Sequence, residues 1–399
     1  MKSYSAEVGI AVARARWLIA LFIAAFLATA APAHSQQNAP RIGYVYPAGG
    51  RQGSTLEVTV GGQFLDNVSA VYVSGDGVQA KMLELIKPLP AAQLTELREQ
   101  IQELQKKGKD AAILKEIEAI RAKIVASQNR NANPSISQTA RIEITLAPEA
   151  EPGLRELRLR TPLGLSNPII FCIGQLPEFL EKEPKITAED TVTDVSLPAV
   201  LNGQLIPGSV GRYRMQVRQQ QAYLPGDVDR YRFAARKGQK LIASVSAREL
   251  IPYLADAVPG WLQAVLTLYD PSGREVACND DFLFHPDPVL YYEVPQDGNY
   301  TIEIRDALYR GRDDFVYRIA IGELPYLTSL FPLGGRAGTR IQVDASGWNL
   351  PGNRQTVDAG KLAPGIHSFS VSQGALASNP TTADVQKTTA AKIPTSREK

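Results

Sequence analysis

The chain has 399 residues, which is long for a single β domain, so two to four domains are expected. Its 43 Lys and Arg residues almost balance 41 Asp and Glu residues. This near-neutral balance gives no electrostatic reason to expect nucleic acid or an anionic membrane as a partner.

The N-terminus has the pattern of a secretory signal peptide. Basic residues up to Arg16 precede an apolar run over 17–27, and small residues follow over 28–35. We expect residues 1–35 to be removed, which predicts a secreted, periplasmic or cell-surface protein. An uncleaved anchor helix is the alternative, but the run is short for a span of about 20 residues. No later run is long and apolar enough to cross a bilayer, so no membrane contact is expected after cleavage.

Strands open the mature sequence. Leu56, Val58 and Val60 alternate with polar residues, which is the period of a half-buried strand. The same pattern returns between residues 140 and 173. These segments predict a β domain at residues 36–177.

A helical segment interrupts this domain. From Ala91 to Ala126 the apolar residues recur every three or four positions, with a break at Lys107-Gly108-Lys109. The pattern predicts a helical hairpin at about 90–127 whose two helices pack antiparallel. A coiled coil that binds a partner is the alternative.

An internal repeat identifies the hairpin as an insertion. Residues 46–54 recur at 331–339 with an offset of 285 positions, and residues 152–168 recur at 364–380. Between these two anchors the first copy is longer by 73 residues, and the hairpin lies within this excess.

The repeated anchors resemble the immunoglobulin-like, plexin and transcription-factor (IPT/TIG) fold. They share its proline–glycine opening and a close of the form Pro-Gly followed by Ser-Asn-Pro. The resemblance implies Ig-like β-sandwiches at 36–177 and at 324–386. No strand is predicted after Pro380, so the second sandwich is expected to be incomplete. The tail at 387–399 is expected to be disordered.

Residues 178–203 are acidic, contain proline and lack periodicity, which predicts a linker. A local echo follows it, because residues 207–215 resemble residues 225–233. Only the second version carries Asp227 and Asp229.

Seven alternating segments then predict a third β-sandwich, at 204–323. Turn sequences at 270–273 and 296–299 separate several of them. The predicted strands are 230–234, 241–247, 265–269, 275–278, 289–294, 300–306 and 315–321.

The motifs of this third region resemble the bacterial pre-peptidase C-terminal domain and occur in that family's order. They include Asp227–Phe233, Leu268–Gly273 and Asn279-Asp280-Asp281. Residues 284–288 and 309–318 resemble the version found in large exported proteins of bacteria such as planctomycetes. The resemblance implies a jelly-roll sandwich that is usually accessory to a catalytic domain. No catalytic domain is predicted in this chain.

An acidic loop in the third region suggests a calcium site. Ca²⁺ takes six to eight oxygens, often from several carboxylates, and some domains of the resembling family bind it. If the first strand begins beside the loop, both could supply ligands. The candidate ligands are Asp227, Asp229, Asn279, Asp280, Asp281 and Asp287. A solvated loop, in which side chains cap turns, is the alternative.

Catalytic machinery is not predicted. The mature chain has only His285 and His367, too few for a zinc site of two or three histidines in one domain. It also lacks the serine-elbow and HExxH patterns. Cys172 and Cys278 are expected to be buried thiols, with an interdomain disulfide as the alternative. The arginines and aromatics at 309–318 are expected to pack strands, with a ligand surface as the alternative.

These features predict an exported, multidomain β protein without enzymatic activity, which acts in adhesion or binds an extracellular protein or polysaccharide. The first alternative is an accessory or processing segment of a secreted peptidase or hydrolase system. The second is a structural component of the cell surface. Calcium is the one cofactor that the sequence suggests.

Overall fold

The computed structural model describes residues 39–108, 110–132, 134–182, 192–207, 226–251, 261–360, 362–373, 376–379 and 381–386. The predicted signal peptide, the predicted tail and nearly all of the echo at 207–215 lie outside these residues. Six sheets of three or more strands form three sandwiches. The prediction of a mostly β protein with one inserted helical hairpin is confirmed. No described helix is long and apolar enough to cross a membrane.

The N-terminal sandwich closes two sheets around one apolar core. Its strands are β1 (Arg41–Tyr46), β2 (Gly49–Arg51), β3 (Thr55–Gln63), β4 (Ala70–Val73), β5 (Val78–Ile86), β6 (Gln138–Leu146), β7 (Gly153–Thr161), β8 (Gly164–Leu165) and β9 (Ile169–Gly174). The sheet orders are β1-β3-β6-β5 and β2-β9-β7-β4, with β8 paired to β7. Alternation along β3 turns Val58 and Val60 into the core, because successive side chains of a strand point to opposite faces.

The helical hairpin lies between β5 and β6. It consists of α1 (Ala91–Lys107) and α2 (Ala111–Ala132), which contact each other. Gly108 ends α1 at a φ of 137°, a conformation that favours glycine. Of the predicted apolar positions, Ile117 and Ile120 of α2 are buried, whereas α1 has no buried residue.

The central sandwich contains all seven strands predicted for it. Its strands are β10 (Glu178–Leu180), β11 (Val192–Asp194), β12 (Ala199–Gln204), β13 (Asp229–Ala235), β14 (Lys240–Ser246), β15 (Ala264–Tyr269), β16 (Glu275–Asn279), β17 (Val289–Glu293), β18 (Gly298–Asp306) and β19 (Val316–Gly322). The sheet orders are β10-β12-β19-β14-β17 and β11-β13-β18-β15-β16. Tyr231, Phe233 and Tyr300 lie between the two sheets in the core.

The predicted linker at 178–203 is wrong where the structure describes it, because three strands of the central sandwich arise there. β10 pairs with β12, β11 pairs with β13, and β12 pairs with β19. Residues 199–203 are buried at every position, so β12 lacks the alternation by which a half-exposed strand is recognised. β10 and β11 have three residues each, too few to show a period.

The C-terminal sandwich repeats the plan of the N-terminal one without a helical hairpin. Its strands are β20 (Tyr326–Phe331), β21 (Gly334–Arg336), β22 (Arg340–Trp348), β23 (Arg354–Asp358), β24 (Gly365–Phe369), β25 (Ser372–Gln373), β26 (Leu376–Ala377) and β27 (Thr381–Gln386). The larger sheets have the orders β20-β22-β23 and β21-β27-β24, and β25 pairs with β26.

The expectation that this sandwich lacks its last strand is wrong. β27 follows Pro380 directly and pairs parallel with β21 and antiparallel with β24. β9 pairs in the same way with β2 and β7 in the N-terminal sandwich. Backbone hydrogen bonds from both sides form β27 although its sequence carries no apolar alternation.

Candidate functional site

The acidic loop, residues 280–288, connects β16 to β17. At its base the side-chain Nδ2 of Asn279 donates to the carbonyl of Val289 at 2.9 Å. The carboxylate of Asp287 accepts hydrogen bonds of 2.7–3.0 Å from three backbone amides, those of residues 247–249. Asp287 therefore caps a short turn, which is the kind of role that the solvated-loop alternative assigned to loop side chains.

The six predicted calcium ligands do not form one site. Asp229 and Asn279 lie in the same sheet and in the same register. Asp229 pairs with Ile304, Ile304 pairs with Leu266, and Leu266 pairs with Asn279. Two strands, β18 and β15, separate them. With neighbouring strands about 4.8 Å apart, their backbones are roughly 14 Å apart, too far to share an ion. The prediction is corrected to two separate groups of residues.

A different carboxylate cluster forms at the start of β13. Glu181, Asp227 and Asp229 each place one oxygen within 4.8 Å of the others. Asp229 is 1% exposed and Glu181 is 9% exposed. Glu181 directly follows β10, which belongs to the opposite sheet, so the cluster spans the sandwich. The sequence did not identify Glu181 because it lies in the segment interpreted as a linker. Its only signal was the acidic character of that segment.

Two buried tyrosines extend this cluster into the core. The hydroxyl of Tyr317 donates to the Asp229 carboxylate at 2.6 Å. The hydroxyls of Tyr317 and Tyr231 lie 2.7 Å apart. Burial, and next the charge of Asp229, raise the pKa of both tyrosines well above the ordinary value. Both hydroxyls therefore remain protonated, and Tyr317 remains a donor to Asp229.

The donor set of the cluster suits a hard cation. All three ligands are carboxylates, which Ca²⁺ prefers, whereas zinc sites usually include histidine or cysteine. Glu181 also accepts a hydrogen bond from the backbone amide of Gln204 at 2.5 Å. The remaining ligands of a calcium ion would come from carbonyl groups or water, as is common for this ion.

A buried ion pair of the central sandwich packs against the N-terminal sandwich. The Arg318 guanidinium makes two bonds to Glu178, of 2.8 and 3.0 Å, and one of 2.7 Å to Asn202. Its side chain is 6% exposed. A Cβ on Gly49 of the N-terminal sandwich would lie 2.6 Å from Arg318 Nη1, so only glycine leaves room for the guanidinium there. We call this contact the arginine junction.

The two cysteines are free, so the disulfide alternative is not realised. Cys172 lies beside the arginine junction, where burial raises the pKa of its thiol to about 11. Cys278 is exposed, and the prediction of a buried thiol is wrong for this residue.

An aromatic cluster joins the central and C-terminal sandwiches. The ring of Trp348 stacks on Tyr291 at 5.3 Å and contacts Phe282 at 5.5 Å and Tyr326 at 5.8 Å. Phe282 belongs to the acidic loop, so this loop also contributes an apolar side chain to the contact. From the sequence, only its carboxylates were considered. We call this contact the aromatic junction.

The arginines and aromatics at 309–318 pack the structure together. Arg312 forms a two-bond pair with Asp314, of 2.8 and 2.9 Å. Arg310 pairs with Asp306, which is completely buried. Burial opposes ionisation of Asp306, but the hydrogen bonds from Arg310 hold its pKa below the ordinary value. These contacts agree with the expectation of strand packing.

Comparisons with known proteins add little to this geometry. No family model and no curated protein matches the chain. Among solved structures, the pre-peptidase C-terminal domain of a Bacillus anthracis collagenase is 13% identical, with a TM-score of 0.21 over 33% of this chain and 93% of that one. The periplasmic lysozyme inhibitor PliG from Aeromonas hydrophila is 16% identical, with a TM-score of 0.20 over 33% of this chain and 96% of that one.

A third structure, SGBP-B of a Bacteroides ovatus mixed-linkage glucan utilization locus in complex with a mixed-linkage heptasaccharide, is 7% identical. Its TM-score is 0.16 over 68% of this chain and 71% of that one. Similarities this low carry no argument about family or function. The two family resemblances therefore remain expectations.

Proposed function

We propose that the chain is an exported, non-catalytic protein that binds a protein or a polysaccharide outside the cytoplasm. The pair of packed junctions carries this proposal. Arg318 of the central sandwich packs against Gly49 of the N-terminal one, and Trp348 of the C-terminal sandwich stacks on Tyr291 of the central one. Surface side chains on three sandwiches are thereby held in fixed positions, and such preorganisation favours binding at several points.

The placement of the histidines supports binding over catalysis. His285 lies on the exposed acidic loop of the central sandwich, and His367 lies on β24 of the C-terminal sandwich. A zinc centre or a nucleophile–histidine pair needs its groups within bonding distance of each other. These two histidines lie on different sandwiches.

We further propose that calcium binds at Glu181, Asp227 and Asp229. Glu181 follows a strand of one sheet, and Asp229 begins a strand of the facing sheet. A bound ion would therefore tie the two sheets of the central sandwich together. It would also neutralise carboxylates that lie within 4.8 Å of one another and repel each other.

Thermal melting with and without calcium tests the metal proposal. A ligand that binds only the folded chain stabilises it by about 2.7 kcal/mol at 100 times its Kd, so millimolar calcium should raise Tm by several degrees. Asp227→Asn should abolish the rise, whereas the matched Asp281→Asn in the acidic loop should keep it. If calcium leaves the Tm of the unaltered chain unchanged, the metal proposal fails. Loss of the rise in Asp281→Asn alone would favour the acidic loop instead.

Retention assays test the binding function. The full chain is incubated with insoluble cellulose, chitin and peptidoglycan and with immobilised collagen, and the bound and soluble fractions are quantified. The proposal expects saturable retention on at least one of these probes, without release of soluble products. Release of sugars or peptides during incubation would show catalysis and overturn the proposal, as would the absence of retention on all four probes.

A further inference from the structure

The tip of the acidic loop is a tight, rigid turn. Phe282 and His285 exchange two backbone hydrogen bonds of 2.9 Å, which close a turn with two central residues. Those residues, Leu283 and Phe284, have φ values of 50° and 67°. Positive φ at both central positions is the signature of a type I′ turn, for which Asn-Gly is the preferred sequence.

Leu283 and Phe284 do not suit this turn. Bulky apolar residues are rare at positive φ, because the Cβ crowds the neighbouring carbonyl. Neither side chain gains burial in return, since Leu283 is 57% exposed and the Phe284 side chain is fully exposed. The fold alone would favour small polar residues at both positions. Residues held against local preference are most often kept for function.

The base of the turn holds the tip in place. Phe282 is part of the aromatic junction, where it contacts Tyr326 and Trp348. On the other side of the turn, the Asp287 carboxylate accepts three backbone amides. Because the backbone of the tip is held in place, it loses little entropy when its side chains bind.

The charges beside the tip indicate the kind of partner. Asp280 and Asp281 lead into the turn and are exposed, and neither forms an ion pair with another residue that the structure describes. Two free carboxylates beside an apolar tip are repelled by an anionic bilayer and attracted to cationic side chains. A pocket on a protein can combine an apolar floor with a basic rim, and such a pocket complements both features.

We propose that Leu283 and Phe284 form a docking knob, which inserts into an apolar pocket with a basic rim on a partner protein. This inference rests on the proposed binding function and specifies the class of partner as a protein. Phe284 is the anchor that fills the pocket, and Asp280 and Asp281 steer the encounter.

Photo-cross-linking identifies the partner. A benzophenone amino acid replaces Phe284 in the full chain, which is then irradiated with the intact cells and culture fluid of the producing organism. The matched control carries the same group at Phe331, which is also an exposed phenylalanine (72%) and lies on the C-terminal sandwich. A protein cross-linked from position 284 is purified, and its Kd for the unlabelled chain is measured.

The proposal expects Phe284→Ala to weaken this Kd by roughly 30-fold or more, the size of a central interface residue, and Phe331→Ala to leave it nearly unchanged. The double variant Leu283→Asn/Phe284→Gly should lose affinity while its Tm rises, which separates lost binding from lost folding. Asp280→Asn/Asp281→Asn should slow association and reduce its dependence on salt.

Three results would overturn the knob. One is a Kd that Phe284→Ala does not change, and another is co-sedimentation with phosphatidylcholine or phosphatidylglycerol vesicles that depends on Phe284. The third is cross-linking from position 331 but not from 284, which would leave the binding function intact and remove only the knob. If neither position cross-links and the retention assays are also negative, both proposals fail.

Discussion

The N-terminal and C-terminal sandwiches share a skeleton and differ in how their outer surfaces are used. In each, an asparagine clamps the first strand through two hydrogen bonds, Asn167 to the backbone of Ile42 and Asn379 to the backbone of Leu327. Yet Ala48 is 1% exposed at the arginine junction, whereas Leu333, its counterpart in the repeat, is 68% exposed.

One neighbouring position shows the same difference in exposure. Tyr44 is buried against the central sandwich, and its counterpart Ser329 is exposed. Cys172 at the arginine junction corresponds to Asp384. The repeat thus preserves the residues that build the sandwich and varies those that decide whether a neighbour covers it. Similarity between the two copies therefore predicts their fold and does not predict their contacts.

Removal of Arg318 should cause the largest loss of unfolding free energy among the variants that test this difference between the sandwiches. Arg318→Ala removes the cationic partner of Glu178, whose side chain is only 13% exposed in the unaltered chain. Loss of one member of a buried pair typically costs about 3–5 kcal/mol of unfolding free energy, which urea denaturation measures. The control is Arg340→Ala, which removes an exposed pair with Asp358 and should cost about 0–1 kcal/mol. Equal losses would mean that the buried pair of Arg318 and Glu178 contributes no more stability than an exposed pair.

Disruption of the aromatic junction should cause the next largest loss of unfolding free energy. Trp348→Ala removes the ring between Tyr291, Phe282 and Tyr326 and should cost about 3 kcal/mol. Calorimetry should then show the C-terminal sandwich melting separately at a lower temperature. The corresponding residue of the N-terminal sandwich is Gln63, and Gln63→Ala should stay within about 0.5 kcal/mol. A single unchanged transition in Trp348→Ala would contradict the aromatic junction.

A carboxylate placed at matched positions tests the covered and uncovered surfaces directly. Ala48→Asp buries a charge at the arginine junction and should destabilise the chain by about 2 kcal/mol or more. Leu333→Asp places the same group in water and should change stability by less than about 0.5 kcal/mol. The two variants can be compared in one urea titration, and similar midpoints would show that both surfaces are free.

Thiol labelling reports the smallest expected effect, a change in the reaction rate of a single cysteine. Burial raises the pKa of Cys172 to about 11 against an ordinary 9.0, so at pH 8 its thiolate fraction is about 100-fold lower than that of an ordinary thiol. Iodoacetamide should therefore modify the exposed Cys278 first. The charge of Arg318 lowers the pKa of Cys172, so labelling of Cys172 should slow further in Arg318→Ala. An unchanged rate would place this thiol outside the junction.

The sequence predicted elements wherever one physical signal dominated. β13 alternates between buried and more exposed positions, and the helical hairpin repeats its apolar residues every three or four positions. β15 and β19 are buried at nearly every position, so a short apolar run was their signal. β12 is buried in the same way but lies in an acidic, proline-containing segment, where it was missed. β27 was missed because its place is set by the strands on either side.

The candidate site was harder to predict because it depends on distant pairings. Asp227 and Asp229 were identified, but Glu181 reaches them only through the pairing of β10 with β12. The carboxylate of Asp287 could bind a cation, yet its oxygens accept hydrogen bonds from backbone amides. Residue type shows which groups can bind a cation, whereas strand order decides which of them meet.

The acidic loop also has a mechanical consequence. One side of its tip is held at Phe282 by the C-terminal sandwich, and the other is held at Asp287 by the turn at 247–249. The next residue of that turn, Leu250, packs in the same apolar cluster as Ile170 of the N-terminal sandwich. A partner that pulled on Phe284 would therefore load both neighbours at once. The tension would be divided between two junctions, so that neither would have to resist it alone.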